Sequence, residues 1–158
     1  KLRLQENVIK LNGDFYRDFP NTPKGTYFSG GAGLSSTAFD YAIFGQMMIN
    51  GGEYNGIRIL SPHTIRLMTT NQIGNLPMWG NPDNANQFGL GFGVYTGKSE
   101  AVGPAYAGTY DWAGMFASHF WVDPKAKVVA VFMRNVWPTT QWDFGDRVKA
   151  LVYQAIND

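Results

Sequence analysis

Met115-Phe116-Ala117-Ser118-His119-Phe120-Trp121-Val122, Asp123-Pro124-Lys125-Ala126 and Lys127-Val128-Val129-Ala130-Val131-Phe132-Met133 run without interruption, and their reading decides the fold. The first and third runs read as β-strands, rich in aromatic and β-branched residues. Asp then Pro between them is the chemistry of a type I turn, so the two strands pair antiparallel. Nearly every position of both strands is apolar, which predicts a sheet covered on both faces.

Working outward, one cover stands just downstream. Thr140 and Asp143 read as a capping box, and Phe144, Val148, Leu151, Val152 and Ala155 form the stripe of a last helix. Upstream, Phe88-Gly89-Leu90-Gly91-Phe92-Gly93-Val94-Tyr95 alternates glycine with apolar residues, as suits a strand that is closely packed against. Residues 71–87, rich in Asn, Pro and Gly and carrying Trp79, read as a long surface loop. Ser61-Pro62 gives an N-cap and a first-turn proline for a short helix to about Thr69, after an extended piece with Ile57, Ile59 and Leu60. Thr37 and Asp40 cap a helix over about 37–50, on which Tyr41, Phe44, Gly45, Met48 and Ile49 recur at helical spacing before Gly51-Gly52 ends it. Gly45 in mid-helix costs ~1 kcal/mol relative to Ala, which predicts another backbone packed close to it. The first 28 residues read as an extended arm: Leu2, Leu4, Val8 and Ile9 suit a strand or short helix, Asn12-Gly13-Asp14 a turn, and Pro20, Pro23 and Gly25 irregular chain. The sum is α+β: an antiparallel sheet of about three strands, a C-terminal helix packed on it, and two further helices.

Composition bounds the function. The chain's 158 residues are the size of one ordinary domain. Thirteen Lys and Arg against twelve Asp and Glu leave a net charge of +1, without the basic face that nucleic acid or anionic membrane requires. Eleven Phe, eight Tyr and five Trp supply a sizeable core. Nineteen glycines imply many tight turns and close backbone contacts. The absence of cysteine excludes disulfides, thiolate zinc sites and a cysteine nucleophile. No apolar run reaches the ~18 residues of a membrane span. A start at Lys1, without Met and inside a polar stretch, suggests a processed product or a piece of a longer protein.

The residues alone show no catalytic set. His63, in the first turn of a helix, reads as a solvated residue, and His119, in a strand, as a hydrogen-bonded structural one, with no second histidine at metal spacing. There is no Gly-x-Ser-x-Gly and no Ser-x-x-Lys, and Ser35, Ser36 and Ser118 have no evident activating partner. The tryptophans could line a sugar, although Trp121 and Trp142 suit core positions equally well.

Four segments carry a resemblance. Gly30-Gly31-Ala32-Gly33-Leu34-Ser35-Ser36-Thr37 leads into Asp40-Tyr41, and Gly51-Gly52 runs through to Ile59-Leu60-Ser61-Pro62. Phe88-Gly89-Leu90-Gly91-Phe92 follows, then Trp112-Ala113-Gly114 with Phe120-Trp121-Val122-Asp123-Pro124. In this order they resemble the C-terminal part of the serine β-lactamase and penicillin-binding-protein superfamily, nearest the class C-type hydrolases that include esterases and DD-peptidases. The resemblance runs from about Ser29 to Asp158. It implies a serine hydrolase in which Ser-x-x-Lys attacks an acyl group and Tyr-x-Asn relays the proton, with neither motif in this chain. Trp112-Ala113-Gly114 resembles the Trp-Gly-Gly form of the third motif, on the strand edging the site. It implies that Gly114 lets substrate lie on the backbone, that the Met115 amide donates to the oxyanion, and that Trp112 walls the pocket where relatives place a cation. Ala113 departs from the usual small hydroxyl or glycine. Tyr110 is a further candidate for substrate contact, and Asp111 faces either the cleft or the structure behind it.

The resemblance therefore implies a fragment whose partner is the N-terminal half of the same protein, or a second copy joined through an open sheet edge. It implies a small acyl substrate, no cofactor or metal, and a periplasmic or cell-envelope setting. Two other readings stand beside it: a non-catalytic acyl- or peptide-binding or regulatory domain, and an aromatic-rich carbohydrate-binding module.

Overall fold

A computed structural model describes residues 9–11, 14–16, 30–31, 34–80, 85–134, 136, 140–141 and 143–156. Leu2, Leu4, Val8, the Asn12-Gly13 turn, Pro20, Pro23, Gly25, Ser29, Ala32, Gly33 and Trp142 lie outside the described residues. Within the N-terminal arm, β1 (Ile9–Leu11) and β2 (Asp14–Tyr16) pair antiparallel.

Helix α1 (Ala38–Ile49) starts where Thr37 accepts a hydrogen bond from the Asp40 amide at 3.1 Å. The return half of a capping box is missing, because the Asp40 carboxylate takes the Thr37 hydroxyl at 2.7 Å instead. Gly51 and Gly52, at φ 71° and 96°, end the helix with amides donating to Met48 and Met47. A side chain at Gly52 would collide with the Leu60 carbonyl, so this glycine is fixed by crowding as well as by φ. The extended piece at Ile57 belongs to a hairpin of β3 (Glu53–Tyr54) and β4 (Ile57–Arg58). Asn55 and Gly56 close it, both at positive φ as a two-residue turn of this hand requires. Helix α2 (Pro62–Met68) follows, its first turn capped by Ser61, which accepts from the Thr64 amide at 3.0 Å.

Among the described residues the main sheet has five strands, not about three, in chain order: β5 (Gln87–Phe88), β6 (Gly93–Val94), β7 (Tyr110–Ala113), β8 (His119–Asp123) and β9 (Val128–Phe132), every neighbouring pair antiparallel. Two expected strands are shorter than their apolar runs. The stretch from Phe88 to Tyr95 is a hairpin rather than one strand, turning through Gly91 at φ 92° with the Gly89 amide bonded to Phe92 O. Met115 and Phe116 are not strand residues; they lie in the β7–β8 turn, closed by Gly114 N to Ser118 O and by Ala117 N to Gly114 O, both 2.9 Å. Ala117 turns the chain at φ 63°. The Asp123 turn is as expected, its carboxylate accepting from the Lys125 and Ala126 amides at 2.9 Å.

Strand alternation gives the sheet two unlike faces. Phe92, Val94, Tyr110, Phe120 and Val122 form an apolar core with Met47, Met48 and Ile65. Tyr41 of α1 packs on Phe120 at 4.8 Å. A Cβ added at Gly45 would stand 2.5 Å from Val129 Cγ1 and 3.5 Å from Val122 Cγ2. The helix thus closes on valine side chains rather than on the backbone expected. The opposite face carries Asp111, His119 and Asp123 and is covered by α4 (Phe144–Gln154).

The start and the stripe of α4 both differ from expectation. Asp143 is the N-cap with no side-chain capping bond, and Thr140 takes no part; the Asp143 carboxylate instead holds Arg147. The buried positions are Gly145 and Lys149, whereas Leu151 is 65% exposed. Helix α3 (Gly97–Val102), capped reciprocally by Thr96 and Ser99, lies in a stretch the sequence left unassigned.

Candidate active-site edge and the polar cluster behind it

Strand β7 pairs with β8 along its whole length but with β6 only at Tyr110 and Asp111. Past Asp111 its other edge, at Trp112 and Ala113, has no strand neighbour among the described residues. The Trp112 ring is half-buried against the core, with Phe88 edge-on at 5.1 Å and Trp79 stacked at 5.4 Å and 22°. Ala113, Gly114 and Met115 are exposed. Neither hydrogen bond of the turn uses the Met115 amide. A Cβ at Gly114 would meet only Ser118, at 3.4 Å from Oγ, and no positive φ requires a glycine there. Packing within the described chain therefore does not demand Gly114.

The structure carries Trp112 and Ala113 on the unpaired end of β7 and Gly114 and Met115 in the turn that follows, and it buries Tyr110 in the core. The Tyr110 ring is 2% exposed, packed 5.4 Å from Phe92 in the core, where burial pushes its hydroxyl pKa far up. It is closed to a substrate and acts as a core residue.

Asp111 points away from the edge, into a buried polar cluster. Its Oδ2 accepts from Tyr95 Oη at 2.9 Å, from His119 Nε2 at 3.1 Å and from Lys149 Nζ at 2.7 Å. Lys149 also donates to Tyr95 Oη and lies over the rings of Tyr95 and Trp121, at 4.6 Å and 5.5 Å. The proton inventory is consistent. The ammonium donates to carboxylate and phenol, the phenol passes its own proton to the carboxylate, and the imidazole donates through Nε2. Burial works to raise the Asp111 pKa, but the His119 hydrogen bond and the Lys149 charge outweigh it and hold the carboxyl below its ordinary range. Burial first, and then the Asp111 charge, push the Tyr95 hydroxyl far up, so it remains a donor. Gly145 completes the packing, since any side chain there would strike the His119 ring. Asp123 is likewise structural: fully buried, it receives Tyr153 Oη at 2.5 Å.

His119 is therefore the hydrogen-bonded structural residue the sequence suggested, and exposed His63 meets Arg66 at 2.8 Å. Sequence reading missed Tyr95 and Lys149. A lysine flanked by Asp146, Arg147 and Val148 looks solvated, and only the glycine one turn before it hinted at a close surface.

The sequence matches the Beta-lactamase family over residues 5–154, so the match reaches back into the segment read as an arm. Protein Rv1367c of Mycobacterium tuberculosis strain H37Rv and Uncharacterized protein MT1414 of strain CDC 1551 are each 29% identical over 136 residues, covering 78% of this chain and 33% of theirs. Among solved structures, EstCE1, a hydrolase with promiscuous acyltransferase activity, superposes with a TM-score of 0.68 at 23% identity, over 96% of this chain and 39% of its own. The chain thus spans about a third of the length of the curated relatives it matches. With the family model matched along nearly its whole length, this chain belongs to the Beta-lactamase family.

Proposed function

We propose that residues 29–158 are the C-terminal part of a serine hydrolase, supplying the substrate-edge strand and one oxyanion amide to a site whose nucleophile and base lie elsewhere in the protein. The observation that carries this reading is the overhang of β7: among the described residues Trp112 and Ala113 have no strand neighbour beyond the last β6 pair, and Gly114 is small where their packing does not demand it.

In the proposed reaction the serine oxygen attacks the carbonyl carbon of an ester, amide or β-lactam while the base takes its proton. The Met115 amide donates to the developing oxyanion, a contact worth ~3–4 kcal/mol of barrier in such enzymes. The tetrahedral centre then collapses to the acyl-enzyme, the leaving group departs with a proton, and water repeats the sequence to release the acid. Trp112 and its aromatic neighbours place neutral aromatic surface where relatives carry a cation, which favours neutral esters and amides over carboxylate-bearing β-lactams. Among the described residues strand β9 has one strand neighbour and a second edge without one, which suits pairing with a strand from the remainder of the protein.

A serine-directed fluorophosphonate applied to the protein carrying both parts tests the proposal. Labelling of a serine outside these 158 residues, with ester turnover, is the expected result. Ligand binding without labelling or turnover would favour the non-catalytic reading, and labelling within this chain would overturn the placement of the nucleophile.

A further inference from the structure

The loop before β5 holds an unexplained aromatic. Trp79 is 74% exposed, yet its backbone is fixed at φ 57° and ψ 20°, a left-handed conformation that is an outlier for a bulky side chain. Gly80, also left-handed, closes the turn by donating its amide to Pro77 O at 3.1 Å. The neighbouring Met78 is anchored on the sheet, its Cε standing 3.5 Å from where a Cβ of Gly93 would be. Gln72 and Gln87 tie the loop base, through Gln72 N to Phe88 O at 2.8 Å and Gln87 Nε2 to Gly74 O at 3.2 Å. The outcome of this bracing is an indole laid near-parallel on Trp112, extending its aromatic surface outward beside the open edge of β7. Burial does not account for the placement, because most of the ring stays in water. Strained backbone that presents an apolar group at a candidate site is the pattern of a ligand contact.

We infer that Trp79 is a specificity-determining residue, which with Trp112 forms a platform for a flat aromatic group of the substrate. This names the substrate class for the hydrolase reading above, on which the catalytic half of its test rests. Offset stacking supplies the selectivity: an aromatic ring gains a parallel, displaced partner that a methyl group cannot use. Either side of an ester could carry that ring, so the test has an acyl arm and an alcohol arm.

The whole protein carrying this chain is assayed on methyl acetate, methyl phenylacetate and benzyl acetate. Trp79→Ala is expected to lower kcat/KM on one of the two aromatic esters about tenfold while methyl acetate stays within about twofold, and Trp79→Phe to recover most of the loss. Which aromatic ester suffers tells whether the ring belongs to the acyl or the alcohol side. Equal loss on all three esters, or on none, overturns the inference and leaves the hydrolase reading intact. Should the wild type turn over none of these esters, binding of phenylacetamide against acetamide decides the platform. About tenfold weaker phenylacetamide binding in Trp79→Ala upholds the platform, and unchanged binding overturns it.

Discussion

Lys149 Nζ lies 2.7 Å from Asp111 Oδ2, and the lysine side chain is 2% exposed. Helix α4 is thus fastened to the middle of the sheet by a largely buried ion pair. Such a pair gains little over a well-packed apolar one, because desolvation offsets the attraction, but losing one partner strands a buried charge. Lys149→Met should therefore cost ~3–5 kcal/mol of unfolding free energy. Adding Asp111→Asn should restore part of it, giving a favourable coupling in a double-mutant cycle by urea denaturation. Additive losses would show that the two charges do not depend on each other.

The depressed pKa of Asp111 sets a pH dependence. The folded state binds fewer protons at this carboxyl than the unfolded chain, so stability rises with pH through the window. Its contribution is complete above about pH 5 and is lost as pH falls through the unfolded value near ~3.9 toward the lower folded one. Urea titrations at stepped pH should give wild type a steeper acid limb than Asp111→Asn. Parallel limbs would deny the shift.

Gly45 and Val129 should behave as a pair. Alanine at Gly45 gains up to ~1 kcal/mol of helix propensity. It also forces the Val129 methyl aside, and overpacking of this kind costs ~1–3 kcal/mol. Thermal melts should show Gly45→Ala destabilised, and Gly45→Ala with Val129→Ala more stable than the sum of the two changes. A stabilised single variant would mean that α1 moves off the sheet without penalty.

Gly114 and Gly145 separate function from folding. Alanine at Gly145 meets the His119 ring and should lower stability by ~1–3 kcal/mol. Alanine at Gly114 meets only Ser118, so stability should stay within ~0.5 kcal/mol. If substrate lies against that backbone, the added methyl displaces it and hydrolysis by the whole protein should drop about a hundredfold. Full activity in Gly114→Ala would remove the edge strand from the site.

Local chemistry was legible in the sequence wherever a few neighbouring residues settle a conformation. Ser61-Pro62, Gly51-Gly52 and Asp123-Pro124 each mark the boundary or turn that the structure contains. The apolar runs misled because apolarity records burial and not extension. Met115 and Phe116 are apolar in a turn, and the Phe88–Tyr95 glycines close a hairpin that alternation reads as one strand. The face of α4 was read from hydrophobicity, which selects Leu151 and passes over Lys149, whose burial depends on a carboxylate 38 residues away. Trp112, Ala113, Gly114 and Met115 came from resemblance; the structure carries the first two on the unpaired end of β7 and the last two in the turn after it. Trp79 joins them through a stack between residues far apart in the chain, which no local pattern encodes.

The five strands of the sheet stand in the order in which the chain makes them. From β7 to β9 each new pairing closes a loop of only a few residues, at small entropic cost. Helix α1 must instead find β9 from about eighty residues upstream. That asymmetry sets a sequence of events in folding, since short-range pairings form before long-range ones repay their closure. Pulse-labelling hydrogen exchange should find amides of β8 and β9 protected ahead of those of α1, so the strand that edges the candidate site is in place before the core beneath it is sealed.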